Sequence, residues 1–370
     1  MFFPLAVLLG WIGIGHWLLY VAGITSSYSC LFHGLVQVQA FLMAFALGFL
    51  FTAIPRRTGS TPPSGLELGV AVGALCVVVA AAEAERWAVA ELAYAALFAL
   101  LLQFAIRRFL GSGAARRPPA AFVLIPMGVL HGLVGAGLIG VSFRPDASPT
   151  LLAFGRLLVE QGVFLCFAIG IGGLVLPLMS GAPPPPDLGS SSREGWKAVA
   201  YVLAGLAIFM TFVVEQRGGV CLGPLLRAAV VALGLGVAGG AWRPPGKPGL
   251  HRWFVWVAAW LMPAGLVFAA LAPNYRVPAL HVLFIGGFGL MAFGVATHVA
   301  LTHLNLEGLA LGRPLPVAVL GGSIIVAMLG RIVADWSATY FEHLGAAAAV
   351  WIVGSAVWLA FIGPKLLRRG

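Results

Sequence analysis

A long apolar stretch without any charged residue lies near the start of the chain, at residues 29–55: SCLFHGLVQVQAFLMAFALGFLFTAIP. A helix needs roughly 20 apolar residues to cross a hydrocarbon core about 30 Å thick, so this stretch is long enough to span a membrane. In lipid, every backbone N–H and C=O must be paired within the segment, which a helix achieves. The stretch therefore predicts a transmembrane helix that carries His33 inside its apolar sequence.

Eleven further stretches of this kind fill most of the chain. Hydrophobic residues make up 61% of it and charged residues 9%, and the mean hydropathy is +1.00; these values exclude a soluble domain of this size. We predict an all-α, polytopic membrane bundle of about twelve helices in a single transmembrane domain over residues 1–370. The predicted spans cover residues 3–23, 29–55, 66–82, 87–106, 120–142, 150–179, 197–214, 219–241, 253–272, 278–301, 315–338 and 344–363.

The net charge of +10 could indicate a nucleic-acid partner, so its distribution along the chain has to decide. The connections after odd-numbered spans hold only Arg86, Arg144, Arg217 and Arg276. The other connections hold many more cations, and cationic connections stay on the cytoplasmic side. This distribution predicts that both termini are cytoplasmic and that the chain is a multi-pass protein of a bacterial inner membrane. The partner of the positive charge is then membrane lipid and not nucleic acid. The connections after even-numbered spans and the C-terminal tail hold Arg56, Arg57, Arg107, Arg108, Arg116, Arg117, Arg193, Lys197, Arg243, Lys247, Arg252, Arg313, Lys365, Arg368 and Arg369.

The longest polar interruption covers residues 181–196 and contains four consecutive prolines followed by glycine and serines. Such a composition cannot be helical and is typical of a flexible linker, here a cytoplasmic one between two groups of six spans. Two halves of six spans are also typical of a secondary transporter without a redox cofactor, which is the alternative function. No motif of the first half recurs at a matching position in the second half.

The predicted orientation sorts the histidines by depth. At 1.5 Å rise per residue, His33 and His281 lie at the same level, roughly 5 Å inside the outer ends of spans two and ten. His16 lies about 10 Å below the outer boundary of span one, and His131 lies at about the middle of span five. Polar groups within a membrane tend to face the bundle interior and to mark a cofactor or ion path. We therefore expect these four histidines to include the ligands of a metal or cofactor in the outer half.

Other polar residues within the spans could support such a site. Gln37 lies four residues after His33, on the same helix face, and could orient whatever His33 holds. Arg156 with Glu160, and Arg331 with Asp335, form i,i+4 pairs within spans six and eleven. Each pair is either a structural staple or a place where the arginine binds a haem propionate, and Glu160 is alternatively a proton-relay carboxylate.

The remaining histidines lie outside this group. His251 in an inner connection and His343 at an outer mouth are expected to be solvated or bonded to backbone carbonyls. His298 and His303 mark the inner end of span ten, five residues apart, which is poor spacing for one helical face. We do not expect this inner pair to share a metal with the outer histidines.

Several residue strings resemble a known membrane family. GFLFTAIPRRTG at 48–59 is similar to the "GFLLTAvPnWTG" signature of the NnrS family, whose members are associated with haem, copper and the response to nitric oxide. IGGLVLP at 171–177 resembles that family's "iGGRviPfFT". A third match runs from His281 through Met291 to His303 and the GRPL of 312–315, and GPKLLRR at 363–369 is similar to the closing segment. The matches follow the family's order over most of the chain.

The chain departs from the family's pattern in ways that mark a divergent member. Where the family has His-x-His-Glu-Met, only the first residue, His33, is kept, followed by Leu35, Val36 and Gln37. Leu174 and His298 stand where the family has arginine.

The resemblance implies His33, His281 and His303 as metal ligands, haem and copper as cofactors, and nitric oxide as a diatomic ligand. Haem iron accepts one or two imidazoles, and a vacant position can bind a gas. The first hypothesis is therefore a haem or haem–copper protein that binds or helps to metabolise nitric oxide, or has a related redox role. A transporter comes second. A respiratory oxidase-type core comes third, since no adjacent His-His pair occurs in the chain.

Overall fold

The predicted fold class is confirmed by a computed structural model that describes residues 1–111 and 115–367. Helices make up nearly all regular structure in these ranges, and no strand occurs in them. Arg368 and Arg369, which contributed to the predicted orientation, lie outside the described residues.

Every predicted span has a matching helix. In the described ranges, eleven helices are long and apolar enough to cross a membrane. The twelfth helix, α8, is shorter than these eleven, with 10 residues of α-helix followed by 7 of π-helix. The helices are α1 Phe2–Val21, α2 Cys30–Thr58, α3 Gly65–Glu83, α4 Trp87–Phe109, α5 Ala120–Ser142, α6 Pro149–Ser180, α7 Ser192–Gln216, α8 Leu222–Ala238, α9 Leu250–Leu271, α10 Pro273–His303, α11 Leu315–Ala334 and α12 Tyr340–Leu366.

Span eight is shorter than the predicted 219–241 because glycines bound it on both sides. Gly218 precedes it with a φ of +100°, and Gly240 follows it with a φ of +79°. Both values lie in the left-handed region, which interrupts a right-handed helix and which glycine adopts at low cost. Its neighbours α7 and α9 keep their full length.

Three helices form the centre of the bundle. Of the most apolar window in each, 89% of residues are buried in α2, 78% in α6 and 72% in α10, against 56% or less in the other long helices. The peripheral helices present apolar faces outward, as expected where lipid is the solvent. The three central helices carry His33, Arg156 and His281, so these residues belong to the helices that are least exposed to lipid.

Each central helix contains a π-helical segment near a polar residue of interest. The segments are Gln37–Leu42 in α2, Leu157–Gly162 in α6 and Val282–Gly289 in α10. They begin four residues after His33 and directly after Arg156 and His281. A π-helical turn inserts one residue and rotates the rest of the helix, and such turns are frequent at functional sites. Hydrophobic periodicity did not predict them.

Residue 2 and the last turns of the described part of α12 lie at the same end of the bundle, which is called the inner end after the predicted orientation. The ring of Phe2 packs edge-on against Phe51 near the inner end of α2, with centroids 5.6 Å apart. Near the other terminus, Trp358 donates from Nε1 to Thr297 Oγ1, at 2.8 Å, close to the inner end of α10. This placement agrees with an even number of crossings.

The interruption between α6 and α7 is tied to the inner surface by one carboxylate. Asp187 accepts from Arg57 at 2.7 Å, from Arg116 at 2.9 Å and from the backbone N–H of Arg117 at 3.0 Å. Helix α7 begins at Ser192, inside the predicted 181–196, and Ser191 caps it by accepting from Glu194 N. Partial burial raises the pKa of Asp187, but these three donors outweigh it and the net pKa is lowered.

Candidate functional site

Two imidazoles from distant parts of the chain meet near the outer ends of α2 and α10. The ring centroids of His33 and His281 are 6.4 Å apart, and their planes differ by 9°. Both residues are partly buried. Their positions along spans two and ten predict that both lie at the same depth, and in the structure their rings are neighbours.

Both rings are held in the same way. His33 Nδ1 lies 2.8 Å from Gly13 O of α1, and His281 Nδ1 lies 2.7 Å from Val277 O one turn earlier. A carbonyl can only accept, so each Nδ1 carries the proton and each Nε2 is left with a lone pair. No described residue forms a hydrogen bond to either Nε2. Histidines that bind metals usually have this arrangement, because the second-shell acceptor fixes the tautomer and the ring orientation.

A third imidazole lies beside the pair. The ring of His16 is 5.8 Å from that of His33, and both of its nitrogens are buried without a hydrogen-bond partner among the described residues. Buried polar groups in proteins are usually hydrogen-bonded, so His16 is a further candidate ligand beside His33. His33, His281 and His16 together are called the outer imidazole cluster below.

Two arginines flank the outer imidazole cluster. Arg156 donates from Nε to Glu160 Oε1 at 2.6 Å, and this pair lies against Gly34, whose added Cβ would be 3.4 Å from Arg156 Nη2. On the other side, Arg331 pairs with Asp335 and reaches the hydroxyl of Tyr340 at 3.4 Å. The predicted i,i+4 pairs are thus both formed.

The two arginines differ in what they leave free. The Nη groups of Arg156 form no hydrogen bond with a described residue, whereas both Nη groups of Arg331 are engaged. Arg331 nevertheless lies close enough to act electrostatically on both His33 and His281. Each arginine is thus balanced by one carboxylate, and only Arg156 keeps free Nη donors.

Three predicted site residues lie elsewhere. Gln37 donates to Gly10 O at 2.9 Å and so braces α2 against α1 rather than reaching His33. His131 lies in an apolar pocket, with Cys166 Sγ 3.8 Å from Nδ1 and no partner for Nε2. His303 is exposed at the inner end of α10.

An apolar cleft lies deeper in the bundle, between α2, α6, α9 and α10. It is lined by phenylalanine, methionine and aliphatic side chains, including Phe45, Phe164, Met262 and Met291. Phe284 connects it to the cluster, since its ring contacts those of both His281 and Phe288. Such a lining suits an apolar molecule rather than a hydrated ion.

The donor set restricts what the cluster can hold. Among the described residues, no group of three or more His, Cys, Asp or Glu side chains is close enough to hold a metal ion. A bare metal ion in a protein usually takes four or more ligands, mostly from side chains. Haem iron takes four nitrogens from its own macrocycle, so the protein has to supply only one or two.

The sequence did not predict two further polar clusters. Arg227 in α8, fully buried, donates to Glu215 at 2.7 Å, to Gln161 at 2.7 Å and to Thr211 at 3.0 Å. Arg276 pairs with the other oxygen of Glu215. The second cluster joins His251 to His298 at the inner end. The sequence signal for the first cluster was the presence of Arg227 in an apolar span, since no spacing within one helix reveals partners on α6 and α7.

The chain has also been compared with known proteins. The family model described as NnrS protein matches residues 1–369, which is almost the whole chain. No curated protein matches it.

Proposed function

This chain belongs to the NnrS family, and we propose that it is a haem protein of the bacterial cytoplasmic membrane that binds or helps to metabolise nitric oxide. The observation that carries the proposal is the His33–His281 pair. Each imidazole nitrogen lies about 2 Å from a metal that it binds, so two rings that bind one ion from opposite sides have centroids roughly 6 Å apart. The observed separation is 6.4 Å.

The chain's own residues would hold the group as follows. Gly13 O and Val277 O keep the protons on Nδ1, so that Nε2 of either histidine would be available to bind iron. Arg156, whose Nη groups are free, would bind one propionate carboxylate, and Arg331 would bind another in exchange for one of its present partners, Asp335 or Tyr340. When bound, haem iron would supply a redox centre that takes either both imidazoles or one imidazole and a diatomic gas.

The apolar cleft gives nitric oxide a route and a reservoir. Nitric oxide is uncharged and nearly apolar, so it partitions into surroundings of the kind that Phe45, Phe164 and Met291 provide. The cleft excludes water and ions from the same volume, which would protect a reactive centre from side reactions.

Copper is the second cofactor that the family suggests, and His16 is the residue best placed for it. Both of its nitrogens are buried without a partner, and its ring lies 5.8 Å from His33. Imidazole suits copper, and His16 would supply one such ligand, with the remaining ligands coming from outside the described side chains. His131, with a free Nε2, is the alternative.

The proposal is tested by the absorption spectrum and metal content of protein purified in mild detergent from haem-sufficient cells. We expect a Soret band that decreases strongly in His33→Ala and in His281→Ala and persists in His343→Ala, the control histidine at the outer mouth. Nitric oxide added to the reduced protein should shift the band. A colourless, iron-free wild type would contradict the proposal and favour the secondary transporter.

A further inference from the structure

A second polar cluster lies at the opposite, inner end of the bundle, where α9 begins. His251 Nε2 lies 3.2 Å from His298 Nδ1, and the two rings are 5.3 Å apart at an angle of 29°. Arg252, the next residue, is 6% exposed. These three residues are called the inner basic cluster, and the haem proposal makes no use of them.

Arg252 differs from every other buried arginine in the described ranges. Arg108, Arg227 and Arg331 are each paired with a carboxylate, from Glu67, Glu215 and Asp335 respectively. No described carboxylate lies within ion-pair distance of Arg252. Its Nη1 reaches only the sulfur of Met179 at 3.8 Å, and its Nε is buried with no partner.

A buried guanidinium without a counter-charge is strongly unfavourable. Neighbouring cations increase this free-energy cost by electrostatic repulsion. Arg56 and Lys247 lie close enough to act electrostatically on His298, so the charges around the cluster have the same sign. A metal cation is therefore disfavoured there, although two imidazole nitrogens converge. An anion would compensate Arg252 and relieve the repulsion.

The local backbone also favours an anion. Arg252 is the third residue of α9, and a helix N-terminus carries partial positive charge. Gly249 precedes the helix with a φ of +129°, and a Cβ there would lie 3.3 Å from Arg252 Nε and 3.2 Å from His251 Cε1. Glycine at this position keeps a side chain away from Nε and the imidazole, and Ala310 O lies 2.4 Å from the position that a Cβ would occupy.

We propose that the inner basic cluster is a binding site for a phosphate-type oxyanion at the cytoplasmic end of the bundle. Nε of Arg252 would donate to one oxygen. In the His251–His298 pair, one ring donates to the other, and the accepting ring keeps its proton on its second nitrogen, which can donate to the anion. The phosphate belongs either to a lipid headgroup or to a free anion, since the site lies at the membrane surface.

The test compares wild type with Arg252→Gln and with Arg107→Gln, an exposed arginine at the same end of the molecule. Inorganic phosphate should raise the thermal midpoint of delipidated wild type and Arg107→Gln by about 2–4 °C or more above chloride at equal ionic strength. The midpoint of Arg252→Gln should not respond. If Arg252→Gln does not fold, Arg252→Lys, which keeps the charge but loses Nε, should show a response reduced several-fold.

Native mass spectrometry before delipidation separates the two sources. A phospholipid adduct that Arg252→Gln loses and Arg107→Gln keeps identifies a lipid headgroup, whereas a phosphate response without such an adduct identifies a free anion. The proposal is overturned if phosphate and chloride affect wild type equally and no adduct depends on Arg252. The haem spectrum of Arg252→Gln should match that of wild type, so this result is independent of the outer imidazole cluster.

Discussion

At the scale of single residues, the environment of each imidazole decides what it can do. His33 and His131 are both carried into the bundle, but a carbonyl oxygen faces Nδ1 of His33, whereas a thiol sulfur lies near Nδ1 of His131. Only His33 also has a second imidazole, that of His281, as a close neighbour in the outer half, with ring centroids 6.4 Å apart. Chain position alone would have ranked the two histidines together.

A substitution at Gly13 should test most directly whether the carbonyl oxygen at Nδ1 positions the His33 ring. A Cβ at Gly13 would lie 2.3 Å from Gln37 Nε2 and 3.1 Å from Val36 Cγ1. Gly13→Ala should therefore push α1 away from α2, weaken the hydrogen bond from His33 Nδ1 to Gly13 O, and lower haem occupancy several-fold. Absorbance of the Soret band per mole of protein measures this.

Gly15 provides the matched control for that change, because no atom lies within 4 Å of an added Cβ there. Gly15→Ala lies on the same helix and should keep wild-type occupancy. Equal spectra for the two alanine variants would show that the Gly13 contact does not position His33.

At the scale of helices, buried ion pairs fix how α7, α8 and α10 meet. Arg227 of the short helix α8 is fully buried and depends on Glu215 of α7, which also pairs with Arg276 of α10. Gly223 allows the close approach, since a Cβ there would lie 2.8 Å from Thr211 O. The small residue and the ion pair together compensate for the limited length of α8.

Removing one partner of this pair should be costly. Glu215→Gln leaves Arg227 buried without a counter-charge and should lower the free energy of unfolding by about 3–5 kcal/mol. Loss of helicity during titration with SDS in mixed micelles measures the change. The exposed Glu307→Gln should have almost no effect, and Glu215→Gln combined with Arg227→Met should recover part of the loss. A change below about 1 kcal/mol in Glu215→Gln would mean that water reaches Arg227.

The connection between α6 and α7 should give stability a pH dependence. The folded-state pKa of Asp187 is lowered, so its stabilising contribution is full above the unfolded value of about 4 and is lost as pH falls through the folded pKa. Asp187→Asn should cost about 1 kcal/mol at neutral pH, because the carboxylate is partly exposed.

The measurement for Asp187 is the thermal midpoint between about pH 3 and pH 6, a range that brackets the unfolded value. Wild type and the exposed Asp146→Asn should lose stability toward the acid end, and the slope should be smaller in Asp187→Asn. Parallel curves for all three proteins would show that Asp187 is not held by its arginines in solution.

At the scale of the whole molecule, the sequence predicted twelve spans from hydropathy, and in the described ranges eleven of them are helices long and apolar enough to cross a membrane. It did not predict which helices are neighbours. The contact between His33 and His281 requires α2 and α10 to pack together, and helix association in lipid depends on shape and small residues rather than on hydropathy. The apolar run of span nine begins at residue 253, which predicts that His251 lies in a connection. In the structure, α9 begins at Leu250, and His251 is buried.

The orientation of the bundle in the membrane is the remaining whole-molecule prediction. Residue 2 and the last described turns of α12 lie at the end of the bundle where Arg56 and Arg57 close α2, so one reporter result at either terminus determines the side of every connection. A green fluorescent protein fused after Gly370 should fluoresce, since it folds in the cytoplasm. Alkaline phosphatase inserted at Gly218, between α7 and α8, should be active, since it needs an oxidising compartment. Alkaline phosphatase at Gly189, in the connection rich in cations, is the control and should be inactive. The reverse pattern would place the outer imidazole cluster on the cytoplasmic side and the inner basic cluster outside, and would remove the argument for a cytoplasmic phosphate ligand.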